Sequence, residues 1–312
     1  INFVLSEAQG MDAWALTDHG NGNGLAHAHS HAVKMQKAGR NFRQVYGVEF
    51  YFVPSLQQWT EEYAAHRQAI KDAKTAAAAE KKAKEKIDID ADDEAEAGGL
   101  VVEDEDETKK IDVLKDEWKR RYHLVVTARN QQGLKNLFTL VKKSYKYGFY
   151  RYPRIDFKLL REHGEGLHVS TACLGGIYSN RILRGEVHGH SRNQIQNELQ
   201  NLTDQFVSCV GEDNFKLELQ FNKIGKQHTV NDYLIEHHKQ TGIQLICTAD
   251  SHYPTSDKWQ ARELYKKLGW LGKRDGLTLP EFEDLKCELY PKNATQMWDE
   301  FLESYPLYDF YK

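Results

Sequence analysis

Short apolar runs alternate along this chain with longer segments whose apolar residues recur every three or four positions. A short apolar run that ends at a polar turn predicts a buried strand, and the longer period predicts a helix with one buried face. Strands are predicted at residues 13–17, 44–53, 122–128, 167–171, 215–220 and 244–248. Helices are predicted at residues 25–38, 133–147, 193–210 and 230–241. Because helices connect successive strands, the pattern predicts parallel βαβ units in an α/β sheet or barrel.

A charged segment interrupts this alternation. Residues 61–86 consist mainly of Ala, Lys and Glu, which favour a helix. Residues 88–107 are acidic and contain no aromatic residue, so we expect them to remain flexible. The expected division is a first part of the α/β domain, a charged insertion, the rest of the domain and a C-terminal extension, at residues 1–56, 57–117, 118–255 and 256–312.

Charge is distributed unevenly along the chain. The net charge is −4, yet residues 80–117 hold 16 acidic and 7 basic residues, which leaves 30 acidic and 35 basic residues elsewhere. A mildly basic body is compatible with a nucleic-acid partner, although a solvated basic face explains it equally well. No apolar stretch is long enough to span a membrane. Four scattered cysteines without a Cys-x-x-Cys pair fit a reducing, cytoplasmic compartment.

Side chains with metal-ligand chemistry follow several of the predicted strands. They are Asp18 and His19 after the first strand, Glu49 on the second, Cys173 after the fourth, and Asp250 and His252 after the sixth. The carboxyl ends of parallel strands meet at one edge of a sheet, where ligands collect. Imidazole, carboxylate and thiolate groups together suit Zn²⁺, Mn²⁺ or Fe. The pattern predicts a metal site, although each residue could instead have a separate structural role. His123 begins its strand, so topology alone does not place it at this edge.

Several motifs carry a resemblance to a known family. ALTDHGN at residues 15–21, GVE at 47–49 and YHLVV at 122–126 resemble the PHP (polymerase and histidinol phosphatase) family. Further motifs, in this order, narrow the resemblance to the PHP domains of bacterial replicative DNA polymerase III α subunits: GFY at 148–150, PRID at 153–156, ACLGG at 172–176, LELQ at 217–220 and TADSHY at 248–253. The resemblance covers nearly all of the chain except the insertion.

The resemblance implies a distorted (β/α)7 barrel with a divalent metal cluster of Zn, Mn, Mg or Fe at its strand ends. Carried over residue by residue, the implied metal ligands are His19, Glu49, His123, Cys173, Asp250 and His252. Of these, His19, Asp250 and His252 are the expected catalytic residues. Asp18 is then expected to orient its neighbour or cap a turn, and Glu218 is a secondary candidate at the same rim.

The family's first strand carries a His-x-His motif, and here that motif would precede Ile1. Because the chain also begins without Met, we expect an N-terminally truncated fragment that lacks the first strand. The cluster of such a fragment would be incomplete and inactive alone, whereas the longer protein would hold it complete.

The implied function is metal-dependent phosphodiester hydrolysis, as a 3′–5′ exonuclease with a proofreading use, within a DNA polymerase. The implied partners are DNA at the primer 3′ end, the rest of the polymerase α subunit, which the C-terminal extension would reach, and other replisome subunits, with no membrane. Two alternatives remain open, a free-standing PHP phosphatase on a small phosphomonoester and a catalytically silent scaffold.

The segment at residues 144–154 combines aromatic and basic side chains and is predicted to be a loop. Such a mixture can stack bases and hold phosphates. The candidate nucleic-acid contacts are Lys146, Tyr150, Arg151 and Arg154, although the aromatic residues could equally close the edge of the barrel.

Overall fold

The computed structural model describes Glu7 and residues 9–81, 120–270 and 288–304. Its strands are β1 (Ala13–Leu16), β2 (Arg43–Phe52), β3 (Tyr122–Ala128), β4 (Phe149–Tyr150), β5 (Tyr152–Ile155), β6 (Leu167–Ser170), β7 (Phe215–Leu219) and β8 (Leu245–Cys247). Its helices are α1 (Leu25–Lys37), α2 (Leu56–Lys81), α3 (Gln131–Tyr147), α4 (Phe157–His163), α5 (Ile177–Val187), α6 (Arg192–Val210), α7 (Gly225–Thr241), α8 (Trp259–Trp270) and α9 (Ala294–Ser304). All six predicted strands are confirmed, with each end within one residue of the prediction.

Some elements differ from the prediction. The segment predicted as a loop forms the end of α3 and the antiparallel hairpin of β4 and β5. Among the helices between β1 and β8, α4 and α5 were not predicted, and α4 has only seven residues. Residues 82–117 of the predicted insertion lie outside the described residues, whereas its first part forms the helix α2.

The strands form one mixed sheet with the order β4-β5-β2-β3-β6-β7-β8, and β1 pairs with β2. Strand β1 is parallel to β2, and β6, β7 and β8 are parallel to one another. Strand β3, however, is antiparallel to both β2 and β6, so the prediction of parallel units is wrong at this strand. The connection from β2 to β3 contains α2, and the antiparallel β3 begins at the edge where β2 ends.

The two faces of the sheet differ in chemistry, because side chains alternate between them along each strand. One face is apolar and packs against the helices; its buried residues include Val48, Phe50, Phe52, Leu124, Val126, Val169, Phe215 and Leu217. The other face carries Glu49, His123, His168, Lys216 and Glu218, and most of these side chains line a cleft. The hydrophobic core therefore lies between sheet and helices, and polar groups are left on the concave side.

The sheet is curled. Trp14 and Leu16 of β1 and Ile246 and Cys247 of β8 line the same cleft, although β1 and β8 lie far apart in the strand order. A curled sheet covered by helices on its convex side confirms the expected distorted α/β barrel. No helix in the described ranges is both long and apolar enough to cross a membrane.

Candidate metal centre

The concave side of the sheet encloses a cleft of about 630 Å³. Five of the predicted ligands line it: His19, Glu49, Cys173, Asp250 and His252. His123 is adjacent, with its ring centre 4.9 Å from that of His19. The structure thus brings five predicted ligands to the lining of one cleft and the sixth, His123, beside it.

Glu49 lies between two histidines. The backbones of His19 and Glu49 form a parallel bridge that continues the pairing of β1 with β2. Glu49 Oε1 is 2.9 Å from His123 Nδ1, and Oε2 is 3.6 Å from His19 Nδ1. One ligand atom from each of these three residues lies within 4.8 Å of the others, which is a group able to hold one metal ion.

The position of His123 follows from the direction of β3. Because β3 is antiparallel to its neighbours, its first residues lie at the edge where β2 and β6 end. His123 is paired in register with Tyr51, near the end of β2. The place of His123 at the start of an antiparallel strand therefore puts it at the same rim as the other candidate ligands.

Cys173 enters the centre from the turn between β6 and α5. Its Sγ is 3.3 Å from His123 Nδ1 and 3.9 Å from Glu49 Oε1. The site leaves no room for a side chain at Gly175, because a Cβ there would lie 2.8 Å from the His123 ring. The Gly175 carbonyl accepts a hydrogen bond from the His123 amide. The close approach of the His123 ring thus explains the first glycine of the Cys-Leu-Gly-Gly motif, whereas a Cβ on the second, Gly176, would lie 2.2 Å from the Thr171 carbonyl oxygen.

Asp250 and His252 follow β8 in a turn. Asp250 has a φ of 44°, an unusual conformation for a residue other than glycine. The backbone amide of His252 donates to the Leu289 carbonyl (2.8 Å), and His252 Nδ1 donates to the Asp250 carbonyl (2.6 Å). With Nδ1 occupied, the Nε2 atom is left as the ring's metal-binding or proton-accepting atom. The ring centres of His252 and His19 are 6.4 Å apart.

The electrostatics of the centre favour a cation. Burial alone would raise the pKa of Glu49, but the hydrogen bond from His123 and the nearby imidazoles outweigh it and lower that pKa. Burial and the Glu49 charge raise the pKa of Asp250, and burial, Asp250 and Glu49 together raise the pKa of the Cys173 thiol. Carboxylates and a thiol crowded into one buried site repel each other when ionised, and a divalent cation relieves that repulsion. The donor set therefore fits a metal such as Zn²⁺.

The secondary candidates lie at the margins of this group. The Asp18 carboxylate accepts a hydrogen bond from the Gly24 amide (3.2 Å) immediately before α1, and the Asp18 carbonyl accepts one from the Glu49 amide. Glu218 is buried below the rim, where its carboxylate accepts hydrogen bonds from Ser170 and Thr248. Burial raises the pKa of Glu218 even though these two hydroxyls lower it.

The candidate nucleic-acid contacts differ in exposure. Arg154 is buried: its guanidinium donates to the carbonyls of Arg120, Tyr150 and Tyr152 and lies over the Trp59 ring. Burial lowers the pKa of Arg154 to about 10. The prediction that Arg154 contacts nucleic acid is therefore wrong, because this side chain holds the hairpin together. Lys146 and Arg151 are exposed, and Tyr150 is half-buried against Tyr63.

One residue of the site was not predicted. The Tyr51 ring stacks on His19, with ring centres 5.8 Å apart and planes within 8° of parallel. Burial, followed by the neighbouring Tyr152, raises the pKa of Tyr51 to about 12, so its hydroxyl remains protonated. The signal that could have found it is the period of two along a strand, which places Tyr51 on the same face as Glu49.

Comparisons with known proteins agree with this picture. Residues 5–222 match the family model of the PHP domain. The chain is 33% identical over 183 residues to the DNA polymerase III subunit alpha of Aquifex aeolicus, and equally so to that of Borreliella burgdorferi. It is 31% identical over 182 residues to the protein of Treponema pallidum. The match to the Aquifex protein covers 59% of this chain and 15% of that protein. These findings confirm the resemblance inferred from the motifs.

Proposed function

The chain belongs to the PHP domain family, and on that premise we propose that it is the PHP domain of a DNA polymerase III α subunit that hydrolyses phosphodiester bonds at a metal centre. The observation that carries the proposal is the convergence of His19, Glu49 and His123 in one group, with Cys173, Asp250 and His252 around the same cleft. Six separate structural roles would not require these side chains to meet.

The donor atoms suggest how a metal would be held. Glu49, His19 and His123 form one group, and Cys173, Asp250 and His252 supply further nitrogen, oxygen and sulfur atoms beside it. A bound divalent cation supplies charge stabilisation at phosphate oxygens and a water of lowered pKa.

The chain's own groups provide orientation and proton transfer. Glu49 accepts from His123 and fixes that ring, and the Asp250 carbonyl fixes the His252 ring through Nδ1. Because Nδ1 of His252 already has its partner, Nε2 is the ring atom that is left to accept or donate a proton. Tyr51 covers one face of His19 and holds that ring in position.

The proposed substrate is the 3′ end of a DNA strand, cleaved in the 3′–5′ direction, with proofreading as the use of that activity. The proposed partners are the rest of the polymerase subunit and other replisome proteins, acting on DNA in the cytoplasm. Support comes from the names of these similar proteins, which are DNA polymerase III α subunits, and from the exposed basic and aromatic side chains of α3 and β4, beside the loop that follows His19.

The test is hydrolysis of a 3′-labelled single strand by the full-length protein, with and without EDTA. We expect metal-dependent release of nucleotides, lost in Asp250→Asn and His252→Ala. Retained release in both variants would refute the assigned residues. Cleavage of p-nitrophenyl phosphate but not of the strand would favour the phosphatase. Metal binding without either activity would favour the silent scaffold.

A further inference from the structure

An exposed row of basic and aromatic side chains runs along α3 and continues onto β4. Lys135, Phe138, Lys142 and Tyr145 recur at intervals of three or four residues and so share one helix face. Lys146 and Phe149 extend the row. The aromatic rings are about half exposed: 49% for Phe138, 48% for Tyr145 and 53% for Phe149. These six residues are called the α3 row below.

The α3 row carries an unbalanced positive charge. Helix α3 contains four lysines and no acidic residue. Lys143, which lies outside the row, pairs with Glu162 at 3.3 Å. Within the described ranges, no carboxylate forms a salt bridge with Lys135, Lys142 or Lys146. An anionic partner would therefore gain three cations without having to break an ion pair among the described residues.

The α3 row borders the metal centre. Phe149 is paired across the hairpin with Pro153, and a Cβ on Gly20 would lie only 2.9 Å from Pro153 Cγ. Gly20 directly follows His19 in the chain. Phe138, near the other end of the row, touches the same loop, because a Cβ on Gly22 would lie 3.4 Å from its ring. A ligand lying along the row thus reaches the loop that carries His19.

The ring arrangement favours stacking. Tyr145 and Phe149 lie 5.6 Å apart with their planes within 16° of parallel, which leaves two similarly oriented aromatic surfaces in solvent. Closer to the centre, Tyr152 packs edge-on against Tyr51 at 4.9 Å, with Arg121 4.2 Å from the Tyr152 ring. Flat rings interleaved with cations are the elements with which proteins bind single strands without sequence preference.

We propose that the α3 row binds the single-stranded end of a nucleic acid and directs its terminal phosphodiester to the metal centre. This inference rests on the proposed hydrolysis and adds the surface that holds its substrate. Bases stack on Tyr145 and Phe149, and the lysines hold the phosphates. A protein partner fits less well, because lysine is depleted at the buried centre of protein interfaces, whereas it alternates here with each aromatic residue.

The test measures binding of a fluorescein-labelled oligothymidylate to the chain in EDTA. Fluorescence anisotropy gives the affinity at each of several salt concentrations. EDTA prevents cleavage, so binding is measured apart from hydrolysis. We expect the double variant Tyr145→Ala/Phe149→Ala to bind at least about tenfold more weakly, since stacking contributes to affinity at each base. In Lys142→Glu/Lys146→Glu the slope of log affinity against log salt should fall by about 0.7 for each lost phosphate contact.

Matched controls change the same chemistry elsewhere. Tyr265→Ala removes a ring that is 78% exposed on α8, and Lys239→Glu reverses an exposed charge on α7. Both should bind the oligothymidylate as the unmodified chain does. Equal affinity of the α3 row variants and the controls would overturn the proposal. So would loss of association with other replisome subunits while oligothymidylate binding is retained, which would assign the row to a protein partner.

The proposed hydrolysis and the proposed binding surface can be refuted independently of each other. Glu49→Gln should bind the oligothymidylate normally in EDTA, because the α3 row needs no metal, and should lose hydrolysis in the full-length protein. Normal binding together with no hydrolysis by the unmodified protein would refute the proposed function and leave the binding surface supported. Hydrolysis without any effect of the α3 row variants on binding would refute only the surface.

Discussion

Glu49 links three other side chains of the candidate centre. Its carboxylate approaches His123 and His19, at 2.9 and 3.6 Å, and Cys173 donates toward it at 3.9 Å. The surrounding imidazoles lower its pKa despite its burial. The imidazoles therefore favour a negative charge on Glu49 in a place where burial alone would disfavour one. A cation bound in the cleft would compensate this charge.

At Glu49 the first prediction is that Glu49→Gln weakens Zn²⁺ binding. The amide keeps the shape of the side chain and removes its charge. Loss of residues that merely orient a ligand costs about 10- to 100-fold in metal affinity, so we expect loss of this direct donor to cost at least about 100-fold. Competition with a chromophoric chelator measures the change.

The control is Glu165→Gln, which removes the same charge from an exposed glutamate and should bind Zn²⁺ normally. Unchanged Zn²⁺ affinity in Glu49→Gln would contradict the place assigned to this residue.

Residue types at or near strand ends predicted five of the six candidate ligands without any family resemblance, because the carboxyl ends of strands are readable from local pattern. His123 needed the resemblance, since the direction of β3 depends on packing with β2 and β6 and not on its own sequence. The prediction that Arg154 contacts nucleic acid was wrong for a related reason. A local pattern shows that arginine stands among aromatic residues, but it cannot show that the guanidinium turns inward to three carbonyl groups.

At the scale of elements, length helped, but a clear local signal decided what could be predicted. Helix α6 has 19 residues and a capping box formed by Ser191 and Gln194, so both its period and its start are visible in the sequence. The hairpin of β4 and β5 was predicted as a loop, because Gly148 and Pro153 are loop signals and its two short strands do not form an apolar run like those of β1, β6 and β8. Helix α4 has seven residues, and its packing against α3 and α6 rather than its sequence accounts for its stability.

Helix α3 packs closely on the turn before β6, and the second prediction concerns that contact. A Cβ on Gly133 would lie 1.8 Å from the Gly166 carbonyl oxygen, which belongs to the backbone and cannot turn aside. We expect Gly133→Ala to destabilise the chain by about 2–3 kcal/mol, as overpacking does. The midpoint of urea unfolding measures the loss.

Gly225→Ala is the matched control for Gly133→Ala. It adds the same methyl group to a helix, but nothing lies within 4 Å of the new Cβ. Because alanine favours a helix more than glycine does, this variant should be neutral or slightly stabilising. Equal unfolding midpoints for the two variants would contradict the packing argument.

Helices α5, α6 and α7 share a buried polar network around His237. Its Nε2 is 2.8 Å from Thr203 Oγ1, which is itself 2.8 Å from the Tyr178 hydroxyl, and its Nδ1 is 3.0 Å from Gln196 Oε1. The Gln196 amide nitrogen donates to the Tyr233 carbonyl, so its oxygen faces His237 and must accept a proton. The network is satisfied by neutral His237 with the proton on Nδ1.

The third prediction is that acid destabilises this helical layer. Burial lowers the pKa of His237 to about 4. The unfolded chain binds a proton at this histidine below a pH of about 6.5, whereas the folded chain does so only near the lowered value, so stability falls as the pH drops between the two. From about pH 7 to about pH 5 this linkage costs about 2 kcal/mol.

Urea unfolding at both pH values measures this cost, and His237→Gln should lose about that much of the dependence. His188→Gln replaces an exposed histidine and should retain the dependence of the unmodified chain. An identical pH dependence in His237→Gln would contradict the role given to His237.

For the whole molecule, the candidate ligands are distributed so that a metal joins distant parts of the fold. His19 follows β1 and the pair Asp250 and His252 follows β8, at the two ends of the strand path β1-β2-β3-β6-β7-β8. The described parts of β1 and β8 are not paired with each other. Their residues line the cleft from opposite sides and are only partly buried. A metal held from both sides would therefore hold the curled sheet together, in addition to any catalytic role.

The fourth prediction is that Zn²⁺ stabilises the whole chain. A ligand at about 100 times its dissociation constant stabilises the folded state by about 2.7 kcal/mol. For a molecule of this size that corresponds to a rise in melting temperature of about 4–5 °C. Differential scanning calorimetry with Zn²⁺ and with EDTA measures the rise. His19→Ala should lose most of it, because it removes the ligand at the β1 end of the path. His29→Ala removes an exposed histidine whose ring contacts Tyr46 outside the centre, so it should keep the full rise. If Zn²⁺ raised the melting temperature equally in both variants, the metal would be bound elsewhere, and the sheet would not depend on a ligand set that joins β1 to β8.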